Sequence, residues 1–150
     1  MASQALITSS ELAQLSIPSN ATRNVDQAAI DMNILRGSDE AKSRLSSRYV
    51  FPLLSWGYDL KGHVASIVTW HLLVRRGFNP DNASDKAAKD SYEAAIEWCD
   101  QVARLTIHPE IVDSSTGTPG FPQDPAPQAS RGWKEWGQPQ LGIPPDTSKV

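Results

Sequence analysis

The two ends of this chain differ sharply in the residues that they could use to build a core. Nearly all of the leucine, isoleucine and valine residues precede Asp113, whereas residues 113–150 contain seven of the eleven prolines and five of the nine glycines. A segment rich in proline and glycine has few side chains to bury and disfavours helix and sheet alike. The distribution therefore predicts a folded domain over residues 1–112 and an extended arm over residues 113–150.

Composition and charge limit which classes of protein this sequence can encode. The formal net charge is -3, so the chain lacks the basic excess that non-specific nucleic-acid binding requires. The single cysteine, Cys99, allows no internal disulfide. The first ten residues lack the basic start and apolar stretch of a signal peptide, and no apolar run approaches the 18 residues of a spanning helix. The sequence predicts a protein that does not span a membrane.

Apolar residues that recur at intervals of three and four predict four helices in the first part of the chain. Thr8 and Glu11 have the spacing of a capping box and open a short helix that ends near Leu15. Two of the other helices are predicted over residues 25–47 and 59–76, and the last begins at Asn82 or Ser84 and reaches about residue 105. Pro52 interrupts the chain between the second and third helices, and residues 48–54 are expected to be extended. The predicted fold class is all-α, a small four-helix bundle-like domain with a long extended C-terminal arm.

The second predicted helix carries two apolar stripes, which indicates two packing surfaces. The first stripe contains Ala28, Met32 and Leu35. Gly37 lies in the second stripe and predicts a kink or a close helix crossing. One stripe is expected to face the domain core and the other a neighbouring copy, and the spacing leaves open which does which. Packing between subunits is assigned to the second stripe and the residue that follows the helix: Ile30, Ile34, Ala41, Leu45 and Tyr49.

The arm differs from a purely flexible linker because it carries aromatic residues. Segments that become ordered on binding commonly use such residues as anchors. Trp133 and Trp136 could instead fold back as a lid on the chain's own core, although a lid rarely needs 38 residues. We therefore expect the arm to bind a partner protein. Its predicted partner-binding residues are Phe121, Arg131, Trp133, Trp136, Leu141 and Ile143.

Few residues have the pattern of a catalytic or metal site. Asp59 and His63 are one helical turn apart and could share a metal, but His71 would lie about 12 Å further along the axis. Cys99 sits in the middle of an apolar stripe, which is typical of a buried free cysteine. Arg75 and Arg76 leave open a second class, a small DNA-binding or regulatory protein that directs them to phosphate. We predict no catalytic residue, no cofactor and no metal, and hence a protein that is not an enzyme.

Three stretches of the sequence resemble a known family. They are Leu45-Ser-Ser-Arg-Tyr-Val-Phe-Pro-Leu53, then Val64-Ala-Ser-Ile-Val-Thr-Trp-His-Leu72, and finally Tyr92-Glu-Ala-Ala-Ile-Glu-Trp98. Together with the opening Leu6-Ile-Thr-Ser-Ser-Glu-Leu12, they are similar to the small head-completion adaptors of Mu-like tailed phages. The resemblance covers residues 6–107 and does not extend to the arm.

The resemblance implies a structural role in the virion. Proteins of this kind form a ring, commonly of twelve copies, under the portal of a filled capsid, and they connect the portal to a tail-side or stopper protein. The DNA would pass through the ring without specific binding. The implied location is the neck of the virion, with the host cytoplasm as the place of assembly. Arg48, Tyr49 and Pro52 carry over only as structural positions.

Overall fold

The computed structural model describes residues 3–15 and 24–115. In chain order the elements are α1 (Ser9–Leu15), α2 (Gln27–Leu45), β1 (Leu53–Trp56), α3 (Tyr58–Arg76), α4 (Ala83–Ala103) and β2 (Ile111–Asp113). The four predicted helices are all present, so the prediction of an all-α, four-helix domain is confirmed. The predicted arm beyond Ser115 lies outside the described residues, and so do all six of its predicted partner-binding residues.

Local hydrogen bonds and one glycine define several of the helix ends. The Glu11 carboxylate accepts a hydrogen bond from the Thr8 N–H at 2.9 Å, and the Glu11 N–H donates to the Thr8 hydroxyl at 3.3 Å, which is the reciprocal pattern of a capping box. Gly77 ends α3 with a φ of 107°, a conformation that glycine adopts at little cost. Asn82 caps α4 by accepting a hydrogen bond from the Ser84 N–H at 3.0 Å.

Helix α3 lies at the centre of the domain and packs against the other three helices. Its buried stripe includes Leu60, Val64, Ile67, Val68 and Leu72, as the spacing predicted. The buried face of α4 is built from small residues, among them Ala88, Ala95 and Cys99. Small side chains on α4 allow it to approach α3 closely. Close packing between the two helices favours one arrangement of them.

The N-terminal segment is fixed to the domain by side chains that hydrogen-bond backbone groups. The Gln4 amide both donates to the Leu53 carbonyl and accepts from the Leu53 N–H, each at 2.9 Å. The Leu6 carbonyl accepts from the Trp56 indole N–H at 2.8 Å, and the Leu6 N–H donates to the Ser38 hydroxyl at 3.0 Å. These contacts bury Leu6 against the core and replace the backbone pairing that an extended segment would otherwise need.

A short antiparallel pair of strands, which the sequence did not predict, closes one end of the domain. Strand β1 pairs with β2, with an irregularity between Leu53 and Ser55. Asp113, the first residue of the predicted arm, is buried here, and its carboxylate accepts from the Val50 N–H at 2.9 Å. The folded part of the chain therefore includes Asp113. Each strand is too short for its alternation of polar and apolar residues to be recognised in sequence.

The two stripes of α2 differ in burial. The residues assigned to packing between subunits lie inside the subunit itself: Ile34, Ala41, Leu45 and Tyr49 are buried, and Ile30 packs against the same core. Ala41 and Leu45 have no accessible surface for a neighbouring copy in this conformation, and Ile34 and Tyr49 have very little. The face that α2 leaves to solvent is the other stripe, in which Met32 is 69% exposed and Leu35 is 39% exposed.

Helices α2 and α3 cross in close contact at Gly37, which is one of the two alternatives that the glycine left open. A Cβ atom at residue 37 would lie 2.6 Å from Cγ2 of Val68, which is far inside van der Waals contact. Val68 is fully buried, so it has little room to move away. The absence of a side chain at residue 37 is therefore what permits this crossing.

We expect Gly37→Ala to destabilise the domain by up to about 2 kcal/mol. The overpacking cost of about 1–3 kcal/mol exceeds the helix-propensity gain of about 1 kcal/mol. Gly62→Ala is the matched control, because no atom lies within 4 Å of the position that its added Cβ would occupy, and it should stabilise α3 by about 0.5–1 kcal/mol. Urea unfolding of both variants and of the wild type measures the difference. Equal gains in the two variants would contradict the close crossing.

The Asp113 carboxylate should make the stability of the domain sensitive to acid. Hydrogen bonds from the Ser115 hydroxyl and the Val50 N–H lower the pKa of Asp113 below its ordinary value. Protonation therefore favours the unfolded chain, and the stabilisation is present at neutral pH and is lost as the pH falls below about 4.

Asp113→Asn should cost about 1–3 kcal/mol at pH 7, because the amide cannot accept all of these hydrogen bonds. The variant should also lose less stability than the wild type between pH 5 and pH 3. Denaturant unfolding at several pH values measures both effects. Parallel curves of stability against pH for the two proteins would contradict the assignment to Asp113.

Candidate functional site

The best-defined polar site is the corner where α2 ends, and it is built around Arg48. One guanidinium nitrogen of Arg48 donates to the carbonyls of Val102 at 2.9 Å and Ile107 at 2.7 Å. The other terminal nitrogen lies 2.8 Å from Nδ1 of His108. The guanidinium also lies 5.0 Å from the centre of the Tyr49 ring. Arg48 thus joins the end of α2 to the end of α4, which is a structural role.

The same corner contains a strained residue. The N–H groups of Leu105 and Thr106 donate to the carbonyls of Val102 and Gln101, which closes α4 in a Schellman turn. This turn places Leu105 at a φ of 64°, a left-handed conformation that costs a residue with a side chain roughly 1–2 kcal/mol. The prediction that α4 continues to about residue 105 is therefore too long by two residues.

A second polar cluster connects α2, α3 and α4. The Glu40 carboxylate lies 2.7 Å from Nε2 of His71 and accepts from the Tyr92 hydroxyl at 2.9 Å. Burial and then the adjacent Glu40 carboxylate raise the pKa of Tyr92. The Tyr92 ring stacks on Trp70 with centroids 5.6 Å apart. The His71 ring is thus hydrogen-bonded between α2 and α3, and the cluster aligns three helices.

His63, the candidate metal ligand, packs against an aromatic ring in the structure. Its imidazole stacks on Trp98 with centroids 4.4 Å apart. Burial lowers the pKa of His63, and the nearby Asp59 opposes this effect only in part. Within residues 3–15 and 24–115, no group of three or more histidine, cysteine, aspartate or glutamate side chains is arranged to bind a metal.

Cys99 has the environment of a core residue. It is a fully buried free cysteine, and burial raises the pKa of its thiol to about 11. Because the thiolate is the reactive form, a thiol with this pKa is a poor nucleophile near pH 7. The interpretation of Cys99 as a small buried hydrophobe is confirmed.

The basic residues that could have faced nucleic acid mostly contact other parts of the domain. Arg44 pairs with Asp100 at 2.8 Å, and Arg48 binds the end of α4. Arg76 lies 3.6 Å from the buried carboxylate of Asp85. Arg75 lies at the exposed end of α3 and has no ion pair to another described residue.

A shallow groove of about 330 Å³ runs along the outer face of α4. Tyr92 and Ile96 supply apolar surface, and Glu93, Glu97 and Asp100 supply carboxylates. Asp100 is paired with Arg44, and Glu93 with Lys89 at 3.6 Å. The acidic groups are thus largely neutralised within the subunit.

Comparison with known proteins places the chain in a family of bacteriophage origin. None of the helices in the described part of the chain is long and apolar enough to cross a membrane. No curated protein and no solved structure matches the chain. A family model described as Bacteriophage Mu, Gp36 matches residues 4–120, which includes the whole four-helix domain. The chain therefore belongs to the bacteriophage Mu Gp36 family.

Proposed function

We propose that this protein is a head-to-tail connector subunit of a phage virion. Several copies would form a ring under the portal, commonly of twelve subunits, and would link the capsid to a tail-side or stopper protein. The match to the Mu Gp36 family over residues 4–120 carries this proposal, because it supports a role in phage structure or morphogenesis. The proposed location is the neck of the virion, reached after assembly in the host cytoplasm.

The chemistry of the domain supports a structural role over a catalytic one. The groups with catalytic potential have environments that suppress it: the Cys99 thiol is buried with a raised pKa, and His63 is stacked on Trp98. The best polar geometry, around Arg48 and Glu40, joins helices to one another. We therefore propose a protein that acts through the surfaces it presents, without an enzymatic step.

The charge of the chain also suits a channel that DNA traverses. The formal net charge is -3, and Arg44, Arg48 and Arg76 all contact acceptors within the domain. A surface without a concentrated basic patch releases few counterions on meeting DNA and binds it weakly. In the proposed ring the DNA would pass through the lumen without specific binding.

The arm is proposed to bind the portal or the tail-side protein. Its sequence places Phe121, Trp133 and Trp136 among prolines and glycines, and aromatic anchors of this kind contribute much of the binding energy at interfaces. A tethered anchor also raises the effective concentration of the second contact once the first has formed. The arm would therefore add affinity without a large flat interface on the domain.

Deletion of residues 116–150 should weaken the association with partner proteins and leave the domain folded. The deletion begins after Ser115 because Asp113 and Ser115 hydrogen-bond within the domain. The full chain and the truncated chain would each be co-expressed with the portal and the tail-side protein of the same phage. Recovery of particles by affinity purification, followed by electron microscopy, measures recruitment.

A variant with Trp133→Ala and Trp136→Ala should lose most of the same association, because it removes the proposed anchors and keeps the length of the arm. Thermal unfolding should be unchanged in this variant, which controls for folding. If the truncated chain joins both partners as well as the full chain does, the arm has no part in docking. If the full chain joins neither partner, the connector function itself is wrong.

A further inference from the structure

The exposed stripe of α2 has the pattern of a short coiled-coil seam. Among the large apolar residues that the described structure leaves exposed, Met32 and Leu35 are the pair that lies on one stripe of one helix. Ala28 precedes them by four residues and Asp39 follows by four, and both are exposed. The resulting spacing of four, three and four is the spacing of d and a positions in a heptad repeat.

The same register places most of the core face of α2 away from the seam. With Met32 at position a and Leu35 at position d, the buried residues Ile34, Gly37 and Ala41 fall at positions c and f, and the buried Ser38 and Leu45 fall at position g, at the edge of the core face. Positions c and f point away from a coiled-coil partner. The seam and the domain core can therefore be satisfied at the same time, without any rearrangement of α2.

Two residues that flank the seam carry opposite charges and lie five positions apart. Asp31 occupies position g and Arg36 occupies the next position e, five residues later, and both are exposed. In a parallel pair of helices, position g of one helix lies beside the following position e of its partner. Asp31 of each copy would thus meet Arg36 of the other, which forms two ion pairs related by the two-fold axis.

An antiparallel pair would place the same charges unfavourably. In that orientation position g meets position g and position e meets position e, so Asp31 would face Asp31 and Arg36 would face Arg36. Like charges at such positions disfavour the pairing. Within its own helix, Asp31 accepts a hydrogen bond from the Gln27 amide at 2.8 Å, which leaves the second carboxylate oxygen to bind an arginine.

We propose that two copies of the free chain pair in parallel through this α2 seam, with Met32 and Leu35 in the contact and Asp31 and Arg36 across it. The seam is about two helical turns long, and Asp39, which accepts a hydrogen bond from the Ser3 hydroxyl, ends it. So short a contact gives a weak, reversible dimer. The inference goes beyond the connector function, because a ring contact joins two different faces of each subunit whereas this seam joins a face to itself.

Charge reversal tests the pairing directly. Asp31→Arg and Arg36→Asp should each weaken dimerisation of the full chain by about tenfold, because two ion pairs become two repulsions. The double variant, which restores the opposite charges in reversed order, should recover most of the association. Sedimentation equilibrium over a range of protein concentrations measures the dissociation constants. Single reversals that leave association unchanged, or a double variant that associates no better than the singles, would refute the ion pairs.

Substitutions in the seam and outside it provide the matched comparison. Met32→Glu should abolish measurable dimerisation, whereas Val74→Glu should leave it unchanged, because Val74 is a similarly exposed residue, at 51%, on α3. Both should keep the wild-type melting temperature. A monomeric wild-type chain that is destabilised by Met32→Glu would mean that the chain itself covers the stripe, and would overturn the dimer.

Disulfide trapping tests the orientation of the two helices. Leu35→Cys should form a dimer with itself under mild oxidation, since a parallel two-fold seam brings residue 35 of both copies together, and buried Cys99 should not react. Efficient cross-linking only between Met32→Cys and Leu35→Cys in a mixture would indicate an antiparallel pair and contradict the proposal. Recruitment of the same variants to portal particles is scored separately, so that a failure of the seam leaves the connector function standing.

Discussion

The contact between Gly37 of α2 and Val68 of α3 is the constraint on which the rest of the domain depends. It brings the backbone of α2 against a buried side chain of α3, and this close approach determines which face of α2 is turned inward. Ile34, Ala41 and Leu45 then enter the core, and Glu40 comes within hydrogen-bonding distance of His71 and Tyr92. A side chain at residue 37 would separate the two helices and disturb all of these contacts together.

The corner that follows α2 gives a physical meaning to the sequence pattern shared with Mu-like phage proteins. Arg48 donates to carbonyls at the end of α4, Tyr49 is buried, and Leu53 begins the strand that pairs with β2. These three residues therefore connect the end of α2 to different parts of the domain.

A domain of this kind suits a protein that works by presenting surfaces. The polar clusters around Arg48 and Glu40 join helices of the same domain, the Cys99 thiol is buried, and His63 is stacked on Trp98. The surface of the described residues includes the apolar stripe of α2 and the groove along α4. The proposed connector subunit would need such surfaces for contacts that form in order during assembly. Weak contacts with a wrong partner dissociate quickly, so the right partner can replace it.

The number of helices, the approximate position of most helix ends and the buried state of Cys99 followed from the sequence alone, because these depend on local spacing. Gly37 was recognised as the site of a kink or a close crossing, and the contact with Val68 decided between the two. The sequence also carried the resemblance to the Mu-like phage family. Only the tertiary structure decided which stripe of α2 faces the core, since both stripes satisfy the same helical period. The pairing of β1 with β2, the burial of Asp113 and the contacts of Arg48 likewise join residues about 50 to 60 positions apart, and no local pattern encodes such a distance.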